Sequence, residues 1–228
     1  MISKAMILAA GFGKRLNPLT LECPKPLLKI GNETFLSNTI NFLEKLAIKK
    51  VVINTHYLAN QITEYLNKKN FNLDIEIINE KEKILDTGGG ILNALRFFKE
   101  SFLCINPDTI WNINYVKEVK KMEKDFFLKK KCHLLVVNKL KSFDKSINGD
   151  FNLRENLVTR QEDDNLKYVY TGLQIINPEV FSNINEEIFS INKVWDDLIM
   201  KKELFGQESK IDFLHASTLQ VYKKLNFK

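Results

Sequence analysis

Ala5-Met6-Ile7-Leu8-Ala9-Ala10-Gly11-Phe12-Gly13-Lys14-Arg15 sets six apolar residues directly ahead of two glycines and two cations. An apolar run this short, bounded by glycine, reads as a buried strand. Where such a strand leaves a sheet, Gly11 and Gly13 let the backbone turn sharply and present its N–H groups, and Lys14 and Arg15 add positive charge. The stretch predicts an α/β fold with an anion held at the carboxyl end of the first strand. Further on, Pro24 and Pro26 flank Lys25. Each proline fixes its own φ and restricts the residue before it, so Lys25 sits on a stiff backbone near the glycines.

Two familiar phosphate loops fail on spacing. The G-x-x-x-x-G-K-[ST] loop ending at Gly13-Lys14 would need glycine at Leu8 and a hydroxyl residue at Arg15. The dinucleotide fingerprint G-x-G-x-x-G would need a third glycine at Leu16.

Outward from this loop, strand and helix patterns alternate to about residue 113, which predicts parallel strands joined by right-handed crossovers. A helix is expected over Thr34 to Ala47, with Leu36, Ile40, Leu43 and Leu46 on one stripe, and another over Asn60 to Lys68. Strands are expected at Ala5 to Ala10, Lys50 to Asn54, Leu73 to Ile78 and Phe102 to Ile105, and Gly88, Gly89 and Gly90 open a helix through Phe98. In the second half the pattern predicts helices at Tyr115 to Lys129 and Val194 to Lys202 and a terminal helix from Thr218. Strands are expected at His133 to Val137, after Gly149-Asp150, at Tyr168 to Ile176 and at Ile211 to Leu214.

The 228 residues suffice for one α/β domain with a full core, and one domain, 1–228, is expected. The net charge of +6 comes from lysines interspersed with acids and lacks a nucleic-acid motif, so solvated helix faces are expected rather than nucleic-acid binding. No stretch is long enough for a membrane span and none reads as a signal peptide, so a cytoplasmic protein without a membrane partner is expected. Cys23, Cys104 and Cys132 are odd in number and widely separated, which supports neither a disulfide framework nor a zinc site.

Leu8-Ala9-Ala10-Gly11-Phe12-Gly13-Lys14-Arg15, then Asn17-Pro18-Leu19-Thr20, then Pro24-Lys25-Pro26-Leu27 together resemble the signature of the sugar-1-phosphate nucleotidyltransferases, especially their small one-domain members. The likeness continues through Asp86-Thr87-Gly88-Gly89-Gly90, Asn106-Pro107-Asp108 and Tyr170-Thr171-Gly172. It implies a Rossmann-like, mixed but mainly parallel sheet with helices on both faces, of the nucleotide-diphospho-sugar transferase type. Residues 1–113 would bind the nucleotide and 114–228 the sugar phosphate. The implied reaction joins a nucleoside triphosphate to a sugar 1-phosphate, with UTP and N-acetylmuramate 1-phosphate as the best fit. Mannose-1-phosphate guanylyltransferase-like and phosphocholine cytidylyltransferase-like enzymes are the alternatives, as is a binding protein that has lost turnover. A monomer or a homodimer is compatible.

On the same resemblance, Arg15, Lys25 and Asp108 are the catalytic candidates. Leu8, Ala9, Ala10, Gly11, Phe12, Gly13, Lys14 and Arg15 would hold the nucleotide phosphates, Lys14 having an alternative reading as a solvent cation. Gly88 and Gly89 would let backbone approach base or ribose, or else Asp86 or Thr87 caps a helix there. Glu80 either shapes the same pocket or is an exposed strand-end charge. Lys25, Gly149, Asp150, Thr171 and Gly172 match the sugar-phosphate side, the last four having a bland reading as turn or strand packing. Asp108 is the expected metal ligand, because a hard carboxylate at a strand end is what Mg²⁺ uses beside phosphates. The family's late second aspartate aligns with His215, and an imidazole suits Mn²⁺ or Co²⁺ better than Mg²⁺.

Overall fold

A computed structural model of the protein describes residues 1–127, 131–160 and 165–226. In chain order the elements are β1 (Lys4–Leu8), α1 (Leu19–Glu22), β2 (Lys29–Ile30), β3 (Glu33–Thr34), α2 (Phe35–Lys45), β4 (Lys50–Thr55), α3 (Ala59–Asn67), β5 (Asp74–Asn79), α4 (Asp86–Ala94) and β6 (Phe102–Ile105). They continue with α5 (Asn114–Phe126), β7 (Cys132–Asn138), β8 (Asn152–Arg154), β9 (Leu157–Thr159), β10 (Tyr168–Ile176), α6 (Asn192–Met200), β11 (Leu204–Ser209) and α7 (Leu219–Asn226).

One nine-stranded sheet runs through both halves of the chain in the order β5-β4-β1-β6-β10-β7-β11-β9-β8. β5, β4, β1 and β6 are mutually parallel, as the strand-helix alternation predicts. β10 then enters antiparallel between β6 and β7, and β11 returns parallel to β7. Side chains alternate across this sheet with period two. Ala5 and Ile7 face one core with α2, α3 and α5, and Met6 faces a second core with α4 and α6. Helices therefore cover both faces of a mixed, mainly parallel sheet, the expected fold class.

Local chemistry sets the helix starts. Thr34 Oγ1 accepts from the Ser37 amide and Ser37 Oγ accepts from the Thr34 amide, each at 3.0 Å, closing a capping box on α2. β6 and β10 occupy the expected residues. Three expectations need correction. Ile211 to Leu214 forms no strand: Phe213 makes only an isolated bridge to Ser142, while the strand in this region is β11, seven residues earlier. The glycine helix starts at Asp86, with Leu85 in the cap position, and neither Asp86 nor Thr87 caps it by side chain. The helix expected to reach Lys129 ends at Phe126, and Lys129 itself lies outside the described residues.

Candidate active site

The carboxyl ends of β1, β4 and β6 meet around a cavity of about 420 Å³. Leu8, Ala9, Ala10, Gly11, Phe12, Gly13, Lys14 and Arg15 all line it, together with Lys25 and Asp108. Gly13 shows why the loop needs glycine: its φ is +66°, and a Cβ there would lie 2.9 Å from Thr20 Cγ2 and 3.1 Å from Lys25 Cβ. A Cβ on Gly11 would meet nothing within 4 Å, so that residue borders open space. Phe12 packs edge-on to His56 and tilted against Tyr57, with Lys14 Nζ 5.2 Å from its ring centre.

Lys25 occupies a single helical turn, Lys25–Leu27, entered from an extended Pro24. Its ammonium pairs with Asp108 Oδ2, which His215 Nε2 also approaches at 3.1 Å. Lys25 and Asp108 are 13% and 16% exposed, so little water screens the pair. Burial raises the Asp108 carboxyl, but the Lys25 charge and then the His215 contact outweigh it and hold the group well below the usual carboxylate range. Backbone pairing delivers His215: Thr109 and His215 form a β-bridge, Ile110 donates to Leu214 and Ala216 donates to Asp108. The imidazole lies flat on Phe213, with ring centres 5.4 Å apart. The segment expected as a strand thus serves to place His215 beside Asp108.

The other expected residues are placed differently. Glu80 is buried behind the cavity wall, where Oε1 accepts from Asn54 Nδ2 at 2.6 Å and Oε2 from the Leu85 amide at 2.9 Å. Asn54 Oδ1 in turn accepts from the Ala9 amide at 3.0 Å. Glu80 therefore ties the ends of three strands together and is neither an exposed charge nor part of the cavity lining. Gly88 and Gly89 also lie outside that lining, since both amides donate to the Phe189 carbonyl. A Cβ on Gly88 would sit 2.3 Å from the Phe189 ring, and one on Gly89 2.1 Å from the Glu187 carbonyl oxygen. Residues 187–189 of the chain thus lie against the Cβ side of both glycines and take both of their amides.

Thr171 and Gly172 form a bulge in β10 directly behind Asp108. Gly172, at φ +92°, accepts from the Asn106 amide at 2.7 Å, and the Thr171 carbonyl accepts from Thr109 Oγ1. Gly149 packs on the Leu166 backbone, and Asp150 Oδ2 accepts from the Tyr170 amide at 2.8 Å. Burial pushes the Asp150 carboxyl up, against the Tyr170 amide and the Arg160 and His215 charges. None of these four belongs to the lining of the first cavity.

Sequence reading missed Asn54, whose signal was a polar residue ending the apolar run Val51-Val52-Ile53 at a strand's carboxyl end. It also missed the tie between Asp144 and Ser217, which fastens the His215 segment to the 142–146 turn. No local signal marks a bond between residues so far apart.

The sequence pattern described as nucleotidyl transferase matches residues 4–139 of this chain. An N-acetylmuramate alpha-1-phosphate uridylyltransferase of Caulobacter vibrioides is 27% identical, over 95% of this chain and 92% of its own length. A protein of the same name from Neisseria meningitidis is 30% identical, over 79% of this chain and 78% of its own. A crystal structure of UDP-glucose pyrophosphorylase complexed with UDP-glucose superposes with a TM-score of 0.79 over all of this chain and 98% of that one. At 17% identity that likeness establishes the fold. The molecule is an α/β enzyme of the nucleotide-diphospho-sugar transferase fold. The chain belongs to the nucleotidyl transferase family, as its glycine loop and Pro24-Lys25-Pro26 segment indicated.

Proposed function

We propose that the protein joins UTP to N-acetylmuramate 1-phosphate and releases pyrophosphate. Nucleotidyl transfer to a sugar 1-phosphate follows from the family and its relatives, and the names of two relatives that match most of the chain support the particular pair. The observation that carries the mechanism is the convergence of Lys25 and His215 on one oxygen of half-buried Asp108, beside a cavity rimmed by the Gly11–Gly13 loop and Arg15.

The acceptor is a phosphate oxygen, already anionic at neutral pH, which attacks the α-phosphorus in line, so no general base and no covalent nucleophile is required. The protein's task is to hold two anions together and to neutralise charge as pyrophosphate leaves. Backbone amides of the Leu8 to Lys14 loop take the nucleotide phosphates, and Arg15 neutralises the departing pyrophosphate. Lys25 exchanges its pairing with Asp108 for the reacting phosphates. Residues 114–228 supply the acceptor side, with Gly149, Asp150, Thr171 and Gly172 shaping it.

A divalent cation fits these residues. Asp108 Oδ1 is buried and has no hydrogen-bond partner among the described residues, and His215 reaches the same carboxylate. The described residues hold no cluster of three such ligands, so Asp108 and His215 would be completed by substrate phosphates and water, the usual setting for Mg²⁺. When bound, the ion supplies Lewis-acid stabilisation of phosphate charge, and the imidazole shifts preference toward Mn²⁺ or Co²⁺.

The test is pyrophosphate release from a matrix of nucleoside triphosphates and sugar 1-phosphates, with phosphocholine included, in Mg²⁺, Mn²⁺ and Co²⁺. The UTP and N-acetylmuramate 1-phosphate pair is expected to give the highest kcat/KM. A higher value for GTP with a mannose- or heptose-type phosphate would overturn the substrate assignment. Thermal stabilisation by ligands without pyrophosphate from any pair would reduce the protein to a binding protein.

A further inference from the structure

A second cavity of about 890 Å³ opens on the other side of Arg15, bounded by that residue, the 143–146 turn and the start of α7. Three cations line it, Arg15, Lys145 and Lys224, against one acid, Asp144. Both oxygens of Asp144 are engaged within the protein: Oδ1 accepts from the Ser146 amide and hydroxyl, and Oδ2 from the Ser217 hydroxyl. Lys145 Nζ donates only to the Leu140 carbonyl, and among the described residues Arg15 and Lys224 have no ion-pair partner. The lining thus carries an excess of uncompensated positive charge, drawn from three parts of the chain that only the fold brings together. The amino end of α7 faces the same space and adds to that field.

Arg15 lines both cavities, the one between Gly11 and Asp108 and this one. The joint between them is also mechanical. Leu16 and Ala216 share an apolar cluster with Tyr222 and Leu225 of α7, and Tyr222 Oη donates to the Lys29 carbonyl at 2.7 Å. A ligand spanning Lys224 and Arg15 would pull on the turn that carries the guanidinium.

We propose that the second cavity binds a diphosphate anion, the pyrophosphate released by the reaction, and that it draws the Arg15 side chain away from the pyrophosphate departing in the first cavity while the backbone amides of the Leu8 to Lys14 loop still hold the triphosphate. Occupancy of the second cavity then slows turnover in a way that added nucleoside triphosphate does not relieve. The binding claim rests on the cavity alone, and the identity of the anion as product rests on the nucleotidyl-transfer reading.

Equilibrium dialysis with labelled pyrophosphate, with and without a non-hydrolysable nucleotide analogue filling the first cavity, measures the site directly. The wild-type protein should retain one pyrophosphate per chain when the analogue is saturating, and the Lys145→Gln/Lys224→Gln variant none. In turnover, loss of two charge-assisted contacts should raise the pyrophosphate concentration for half-inhibition at saturating triphosphate about tenfold. The rate without added pyrophosphate should stay within about twofold, since neither lysine lines the first cavity. No retained pyrophosphate in the wild type, equal retention in the variant, or equal effects of sulfate at matched ionic strength would overturn the proposal. If the analogue itself binds twice and excludes pyrophosphate, the assignment to a diphosphate is wrong. Should the protein turn over no substrate pair, the nucleotidyl-transfer reading fails, and dialysis still decides whether the second cavity binds pyrophosphate.

Discussion

Two glycine clusters look alike in the sequence and serve opposite ends in the fold. Gly11 and Gly13 border a cavity, and the space that a Cβ on Gly11 would take is open. Gly88, Gly89 and Gly90 border the protein itself: Phe189, the Glu187 carbonyl, and Asn54 with Glu80 fill the three positions. Glycine marks a place where something approaches the backbone closely, and only the tertiary structure says whether that is a ligand or another stretch of chain. The neighbourhood separates the two cases. The first cluster is followed by cations that have no ion-pair partner among the described residues, whereas the second lies in a helix packed against residues 187–191.

The sharpest test of that difference lies on the open side. Replacing Lys25 by Ala should lower kcat by about 10³-fold, or about 4 kcal/mol of transition-state stabilisation, with the far-ultraviolet circular dichroism spectrum unchanged. Next in size is Gly89→Ala, which forces a methyl group against the Glu187 carbonyl and should cost about 2 kcal/mol in urea unfolding. A weakened nucleotide affinity with unchanged stability would instead put Gly89 in contact with ligand and dissolve the contrast. Glu80→Gln leaves either Asn54 Nδ2 or the Leu85 amide facing a donor, so a loss of about 1–2 kcal/mol is expected. Gly11→Ala should change stability by less than about 0.5 kcal/mol and yet raise KM for the triphosphate several-fold, as expected where the methyl group enters only the ligand's space.

A pH measurement sharpens the comparison for residues 114–228. Burial holds the Asp150 carboxyl above its ordinary value in the folded protein. The group therefore contributes stability below the unfolded value, near pH 4, and that contribution is lost as pH rises through the folded value. Asp150→Asn, which keeps an acceptor for the Tyr170 amide, should raise Tm at pH 7 and give no gain at about pH 3. A lower Tm for the variant at pH 7 would show that the charge is stabilising where it stands.

Much of residues 1–113 was legible because the signals there are local. An apolar run ending in glycine, a β-branched strand at Val51-Val52-Ile53 and the stripe on α2 each depend on neighbours within a few residues. Residues 114–228 depend on contacts across the chain. β11 went unread because its six residues, Leu204-Phe205-Gly206-Gln207-Glu208-Ser209, include a glycine and three polar groups. Ile211, Phe213 and Leu214 offered a more apolar run, which the fold uses, through Phe213, as a bridge to Ser142 just ahead of the His215 bridge to Thr109. Leu153 and Val158 close over Gly206, with a Cβ there 2.7 Å from Leu153 Cδ2 and 2.9 Å from Val158 Cγ2, a contact written into another hairpin. The site follows the same division. Lys25 and Asp108 were each named by the family resemblance, whereas their ion pair, the Asn54–Glu80 tie and the packing of residues 187–189 on Gly88 and Gly89 were not legible.

In the proposed reaction Asp108, drawn to the ionised state by Lys25 and His215, organises nucleotidyl transfer. The rate of pyrophosphate release from UTP and N-acetylmuramate 1-phosphate by the wild type and by Asp108→Asn tests it most directly. A fall of at least about 10²-fold in kcat, with the variant still folded and still stabilised by UTP, is the predicted result. Release by Asp108→Asn at the wild-type rate would contradict it.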